Sequence, residues 1–115
     1  MLQKFDPRNK DLKIWVGDRL YDRSEAKISV FDSVVQGGDA VWEGLRVYPN
    51  GVMLLDRHLK RMFDSAHALA FEGVPEESFI RNAIKQTLVA NNMNQDTHIR
   101  LTLTSAEYEC PDSYY

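Results

Sequence analysis

The stretch GGDAVWEGLRVY, from Gly37 to Tyr48, decides most of what the sequence predicts about the fold. Its second part alternates in polarity, so it predicts a β-strand over 41–48 whose side chains point in turn to opposite faces. The inner face is mainly apolar and carries Val41, Glu43, Leu45 and Val47. The outer face carries Trp42, Gly44, Arg46 and Tyr48. The paired glycines do not form a phosphate loop, because they lead into a strand and match neither G-x-G-x-x-G nor the P-loop spacing.

The residues before this strand predict further extended structure. The segment 13–22 places Gly17-Asp18 between two short apolar runs, which is a hairpin signal. The segment 26–32 alternates in polarity and predicts a third strand or an extended segment. The segment 33–39, which contains the adjacent glycines, predicts a turn.

The residues after the strand predict a turn, a partner strand and then two helices. Pro49-Asn50-Gly51 favours a turn, and 52–55 predicts the returning strand. The period then changes to helical spacing, with Asp56 as a possible cap and Gly73–Pro75 as the end of the first helix. Its apolar stripe is Leu55, Leu59, Met62, Phe63, Ala66, Leu69 and Ala70.

The second helix opens at Pro75 and the two glutamates that follow it, since proline and acidic residues favour a first helical turn. The segment 97–104 alternates again and predicts a last strand. The order of strands, two helices and one strand predicts an α+β domain. Its sheet is expected to be mostly antiparallel, with the two helices packed on it.

The composition predicts one small domain and excludes several classes of protein. The 115 residues carry a net charge of −3 with no concentrated basic patch, which argues against a nucleic-acid partner. The single cysteine, Cys110, excludes an internal disulfide. The apolar runs are too short for a membrane span and the N-terminus lacks an apolar signal core. The expected location is therefore cytoplasmic, with no membrane partner.

Two arginines are the strongest candidates for binding an anion. Arg46 lies on the outer face of the first strand, and Arg100 lies on the polar face of 97–104 together with His98. If both strands join one sheet, the two guanidinium groups could project into one cleft and bind phosphate or carboxylate. A polar face that is simply solvated is the alternative, and alternation alone does not separate the two.

The sequence as a whole resembles the N-terminal domain of class IV aminotransferases, the fold-type IV pyridoxal-phosphate enzymes. The resemblance rests on GGDAVWEGLRVY, on the H-x-x-R helix LLDRHLKRMFDSAHAL and on the strand HIRLTLT. Branched-chain amino-acid aminotransferases are the most similar members. The expected organisation is a polar arm over 1–12, the small domain over 13–104 and an unmatched tail over 105–115.

The resemblance implies a cofactor and a set of site residues. The arginine of the E-G-L-R strand, Arg46, is expected to bind the phosphate of pyridoxal 5'-phosphate. Trp42, His98 and Arg100 are expected to line the substrate pocket. Gly37 belongs to the same pocket, at a position where branched-chain enzymes commonly have tyrosine. No metal site is expected.

The implied reaction moves an amino group between an L-amino acid, branched-chain-like, and a 2-oxo acid. A D-amino-acid aminotransferase and an aminodeoxychorismate lyase are alternatives within the family. The implied assembly is a homodimer.

A lysine that holds the cofactor as a Schiff base is required for this chemistry, and in the family it comes from a second domain. None of the six lysines here stands at a family position. The chain is therefore expected to be a fragment or truncated product that is inactive alone. The alternatives are a non-catalytic interaction protein and an anion-binding module.

Three further residues are interpreted as structural. Glu43 interrupts the apolar face of its strand and is expected to pair with a basic residue nearby. His58 and Arg61 have a spacing of three, which places them on one face of the first helix.

Overall fold

The N-terminal strands form a separate antiparallel hairpin. The computed structural model describes residues 4–106. Strands β1 (Lys13–Val16) and β2 (Arg19–Asp22) pair with each other alone. Gly17 turns the chain with a φ of 68°, which is cheap only for glycine. The predicted hairpin is confirmed, and one 3₁₀ turn, Pro7–Asn9, precedes it within the arm.

Over the segment 26–39 the strand alternative and part of the predicted turn are wrong, while the extended alternative over 26–32 stays a prediction. No strand forms over 26–32, because its apolar side chains find no second layer: Val30 is 64% exposed and Phe31 61%. The predicted turn begins instead with a short helix, α1 (Ser33–Gln36). The Asp32 carboxylate caps α1 by accepting a hydrogen bond from the Val34 amide at 3.0 Å.

The main sheet has three antiparallel strands in the order β4-β3-β5. Its centre is β3 (Ala40–Tyr48), which agrees with the predicted strand. The edges are β4 (Gly51–Val52) and β5 (Thr97–Thr104). The predicted α+β class with antiparallel sheet is therefore confirmed.

Strand β4 is shorter than predicted because the backbone leaves extended conformation early. Leu54 adopts a left-handed φ of 54°, and helix α2 begins at the next residue. Asp56 does not cap α2, since no side chain caps this helix. It lies in the first turn, where its carboxylate pairs with Arg81.

Two helices cover the inner face of the sheet. Helix α2 (Leu55–Ala68) ends before the predicted stop at Gly73, and this leaves Leu69 52% exposed. Helix α3 (Glu77–Ala90) begins two residues after Pro75. The buried core joins strand and helices through Val41, Leu45, Leu59, Met62, Ala66, Ile80 and Ile84. No helix within residues 4–106 combines the length and the apolar character that crossing a membrane needs.

Leu59 is expected to be one of the residues on which the fold depends most. It is fully buried on α2. Leu59→Ala is expected to lower the free energy of unfolding by about 2–5 kcal/mol, because it removes apolar contacts and leaves a cavity. Leu69→Ala, at the exposed leucine after the same helix, should change it by less than about 0.5 kcal/mol. Urea unfolding measures the free energy of unfolding of both variants. Equal losses of stability in the two variants would contradict the assignment of Leu59 to the core.

Candidate functional site

The two arginines singled out in the sequence lie on one face of one sheet. Strands β3 and β5 pair without interruption from Ala40↔Thr104 to Val47↔Thr97. Within this register Gly44 lies opposite Arg100, and Arg46 lies opposite His98. We call this surface the outer face; it consists of Trp42, Gly44, Arg46 and Tyr48 on β3 and His98, Arg100, Thr102 and Thr104 on β5.

The outer face is an open surface in the part of the chain that the structure describes. Trp42 is 54% exposed and Tyr48 44%. The alternation of the two strands explains this, because the opposite side chains of β3 and β5 pack against the helices. The sequence prediction that Arg46 and Arg100 share a face is confirmed, while the enclosing walls of a cleft are not formed by residues 4–106.

Arg46 has a guanidinium that is available to an anion. Its side chain is 49% exposed, and its Nη2 lies 3.6 Å from Oδ1 of Asp96, which is itself 82% exposed. At this distance the pair is an ion pair without a short hydrogen bond, and exposed pairs of this kind contribute little stability. A dianion could displace Asp96 and take two parallel N–H bonds from Arg46.

Arg100 is held against Trp42. The guanidinium carbon of Arg100 lies 4.3 Å from the centroid of the Trp42 ring. This is a cation–π contact, and tryptophan is the aromatic residue that attracts a cation most strongly. The two residues are diagonal neighbours, since Trp42 pairs with Thr102 and Arg100 with Gly44.

His98 lies over Gly44. A Cβ atom at position 44 would stand 3.1 Å from Nε2 and 3.2 Å from Cε1 of His98. Both distances are tighter than ordinary van der Waals contact, so a side chain at this position would require the imidazole to move slightly. His98 is thereby part of the outer face, as the sequence predicted.

Gly37 lies outside the outer face. It follows α1, where its amide donates to the Ser33 carbonyl at 2.9 Å, and it is exposed. The structure therefore gives Gly37 a helix-ending position before β3. The roles of Gly37 and of the outer-face residues toward a cofactor or substrate stay predictions.

The inner face of β3 carries a buried ionic cluster, which we call the Glu43 cluster. Glu43 is 5% exposed. Its Oε1 accepts a hydrogen bond from His58 Nδ1 at 2.8 Å and lies 2.7 Å from Arg61 Nη2 in an ion pair. Arg61 Nε reaches both carboxylate oxygens, at 2.9 and 3.1 Å. The predicted pairing of Glu43 with a basic residue is confirmed, and its partners come from the H-x-x-R helix.

The ionised form of Glu43 is favoured in the fold. Burial alone would raise the pKa of this carboxyl, but the hydrogen bonds from Arg61 and His58 outweigh it and lower the pKa below its ordinary value. An ionised carboxylate only accepts, so His58 carries its proton on Nδ1. The cluster joins β3 to α2 directly behind the outer face.

The comparisons with known proteins agree with this architecture. The family model for amino-transferase class IV matches residues 40–113. The chain belongs to the class IV aminotransferase family. The match runs past Thr104 into the segment that sequence analysis left unmatched; residues 107–115, with Cys110, lie outside the described residues.

Individual relatives are named for branched-chain amino acids. The chain is 56% identical over 98 residues to branched-chain-amino-acid aminotransferase-like protein 1 of Arabidopsis thaliana, covering 85% of this chain and 18% of that protein. The chain thus spans about a fifth of the length of that curated relative.

Solved aminotransferases share the fold. The branched-chain aminotransferase of Thermoproteus uzoniensis, crystallised with norvaline, has a TM-score of 0.75 and 30% identity, over 89% of this chain and 36% of that one. The branched-chain amino acid aminotransferase of T.th., complexed with N-(5'-phosphopyridoxyl)-L-glutamate, has a TM-score of 0.77 and 27% identity, over 89% of this chain and 35% of that one.

The Glu43 cluster is expected to stabilise the fold in a pH-dependent way. Glu43→Gln should lower the free energy of unfolding at neutral pH by about 1–3 kcal/mol, because it weakens buried charged hydrogen bonds. The folded-state pKa is lowered, so the contribution is present above the ordinary glutamate pKa of about 4.3 and is lost as the pH falls through the folded value.

Urea unfolding between neutral pH and about pH 3 measures this difference. The difference in free energy of unfolding between the parent and Glu43→Gln should narrow below about pH 4.3. Glu72→Gln, at an exposed glutamate, is the matched control and should stay within about 0.5 kcal/mol of the parent. A gap that is independent of pH would contradict the role of the ionised carboxylate.

Proposed function

We propose that this chain is the N-terminal part of a pyridoxal-phosphate-dependent aminotransferase that moves an amino group between a branched-chain-like L-amino acid and a 2-oxo acid. The family match supports the reaction class, and the branched-chain names of the Arabidopsis relative and of the two solved structures support the substrate class. The observation that carries the proposal is the outer face, where two arginines stand on adjacent, continuously paired strands.

Arg46 is the proposed ligand of the cofactor phosphate. Its guanidinium is half exposed and only loosely paired with Asp96, so its donors can turn to a dianion. A planar fork of N–H groups suits phosphate, and its charge persists at every physiological pH. When bound, the cofactor would supply the electron sink for amino-group transfer, while Arg46 would bind and orient its phosphate end.

The substrate side is proposed to be Trp42, His98 and Arg100, with Gly37 at its border. Trp42 offers an apolar ring for a branched side chain, and Arg100 offers N–H donors to a carboxylate. The stack between them places the apolar and the cationic surface side by side, as an amino acid with an aliphatic side chain requires.

The lysine that holds the cofactor is proposed to come from outside residues 1–115. The outer face carries no lysine; of the six lysines, Lys13 pairs with Asp22 and Lys60 with Asp64 at other surfaces. The chain alone is therefore proposed to be inactive. The homodimer, the cytoplasmic location and the domain boundaries stay predictions.

Arg46 is tested by anion binding to the full chain. Arg46→Ala is expected to weaken binding of inorganic phosphate and of pyridoxal 5'-phosphate by about tenfold or more, because charge-assisted hydrogen bonds are lost. Isothermal titration calorimetry measures both dissociation constants. Arg57→Ala, which removes an exposed arginine of α2, is the matched control and should bind as the parent does.

Arg61→Gln provides the discriminating comparison. The Arg61 side chain is 67% exposed but is tied to Glu43, so its loss is expected to affect stability more than phosphate affinity. If Arg61→Gln loses phosphate binding while Arg46→Ala keeps it, the anion site lies at the Glu43 cluster and the assignment of Arg46 is wrong.

The source of the lysine is tested by chemical trapping. Borohydride reduction of the full chain with pyridoxal 5'-phosphate is expected to leave each of the six lysines sparsely and unselectively labelled. Peptide mass spectrometry locates the label. Stoichiometric labelling of one lysine would show that this chain supplies the group and would overturn the proposed inactivity.

A further inference from the structure

Two outer-face side chains of β5 reach diagonally across β3, and both do so in the same direction. Arg100 stands opposite Gly44 in the register but contacts Trp42, two residues earlier on β3. His98 stands opposite Arg46 but lies over Gly44, also two residues earlier. Diagonal neighbours in an antiparallel sheet are within reach of long and aromatic side chains. The shared direction carries both β5 side chains away from Arg46.

The absence of a side chain at Gly44 leaves room for this diagonal arrangement. A Cβ there would stand 3.1 Å from the His98 ring and 3.7 Å from Cζ3 of Trp42. Two rings therefore border the same gap, one from each strand. No positive φ demands glycine at this position, so the requirement comes from the neighbouring rings.

We propose that Trp42 is the positioning residue for Arg100, and that Gly44 allows this arrangement by admitting His98 beside it. The contact keeps the guanidinium carbon of Arg100 4.3 Å from the centroid of the Trp42 ring, and we propose that the N–H groups then bind a carboxylate. This inference rests on the proposed function, which places the substrate carboxylate at Arg100, and extends it by naming what holds Arg100 in place.

The stack can be tested without catalysis, through the fluorescence of Trp42. The chain has two tryptophans, so Trp15→Phe leaves Trp42 as the only one. In that background Arg100→Ala is expected to raise the acrylamide quenching constant about twofold, because one of two ring faces is uncovered. Arg100→Lys keeps the positive charge but lacks the planar guanidinium group. Its quenching constant should lie between those of the parent and of Arg100→Ala. Equal quenching in the parent and Arg100→Ala would overturn the stack.

Gly44→Ala tests the gap in the same background. The added Cβ should displace His98, shifting its imidazole proton signals, and should raise the quenching of Trp42. Unchanged His98 signals and unchanged quenching would show that Gly44 is not required for the arrangement.

The positioning role is tested by binding of 4-methyl-2-oxopentanoate to the full chain, followed by the Gly44 amide signal. Trp42→Leu is expected to weaken binding about two- to fivefold and Trp42→Phe by less, as the strength of exposed cation–π contacts implies. Phosphate affinity at Arg46 should not change. Tyr48→Leu, at the other exposed aromatic of the outer face, is the matched control and should bind as the parent does.

The outcomes separate the two proposals. If Arg100→Ala no longer binds the 2-oxo acid but Trp42→Leu binds it as the parent does, Trp42 is not a positioning residue and the proposed substrate side stands. If Arg100→Ala binds the 2-oxo acid as the parent does, the proposed substrate side is wrong and the positioning role falls with it.

Discussion

The uninterrupted pairing of β3 with β5 is the constraint on which the rest of the structure depends. Because side chains alternate along both strands, this register gives residues 40–47 of β3 a fixed face and a fixed neighbour. A shift of one residue would send Arg46 into the core and Leu45 into solvent. The burial of Leu45 and Val47 on either side of the exposed Arg46 therefore specifies the position of the arginine as well as the stability of the sheet.

The Glu43 cluster shows how this chain carries charge on both faces of one strand. A buried carboxylate is costly unless it is paired and hydrogen-bonded, and here α2 supplies both partners within 3.1 Å. The pairing is directional, so it holds β3 to α2 at one angle as well as at one distance. The outer face therefore has an ionic cluster directly behind it on the same strand.

The parts that could be predicted from the sequence are those where periodicity and local chemistry agree. The bounds of 97–104 and the two faces of β3 follow from alternation, and the pairing of Glu43 follows from an acid on an apolar face. The strand expected over 26–32 fails because alternation describes a face without showing that anything packs on it. The length of β4 could not be foreseen, since Leu54 takes a left-handed conformation that the sequence does not mark. Asp96 approaches Arg46 only through a turn at the start of β5, where the aspartate has a φ of 48° that alternation does not reveal.

The diagonal contacts of the outer face give the two arginines different neighbours. Both are cationic and both stand on one open surface, and only the family resemblance led us to expect phosphate at Arg46 and substrate at Arg100. The structure gives them different surroundings, because the Arg100 guanidinium lies over an indole while Arg46 faces an exposed carboxylate. A stacked guanidinium is oriented before a ligand arrives and so loses less freedom on binding, which suits recognition of a small carboxylate. A guanidinium with an exchangeable partner suits a dianion that can displace that partner by its greater charge. The proposed division between phosphate and substrate thus has a physical basis in the different neighbours of the two arginines.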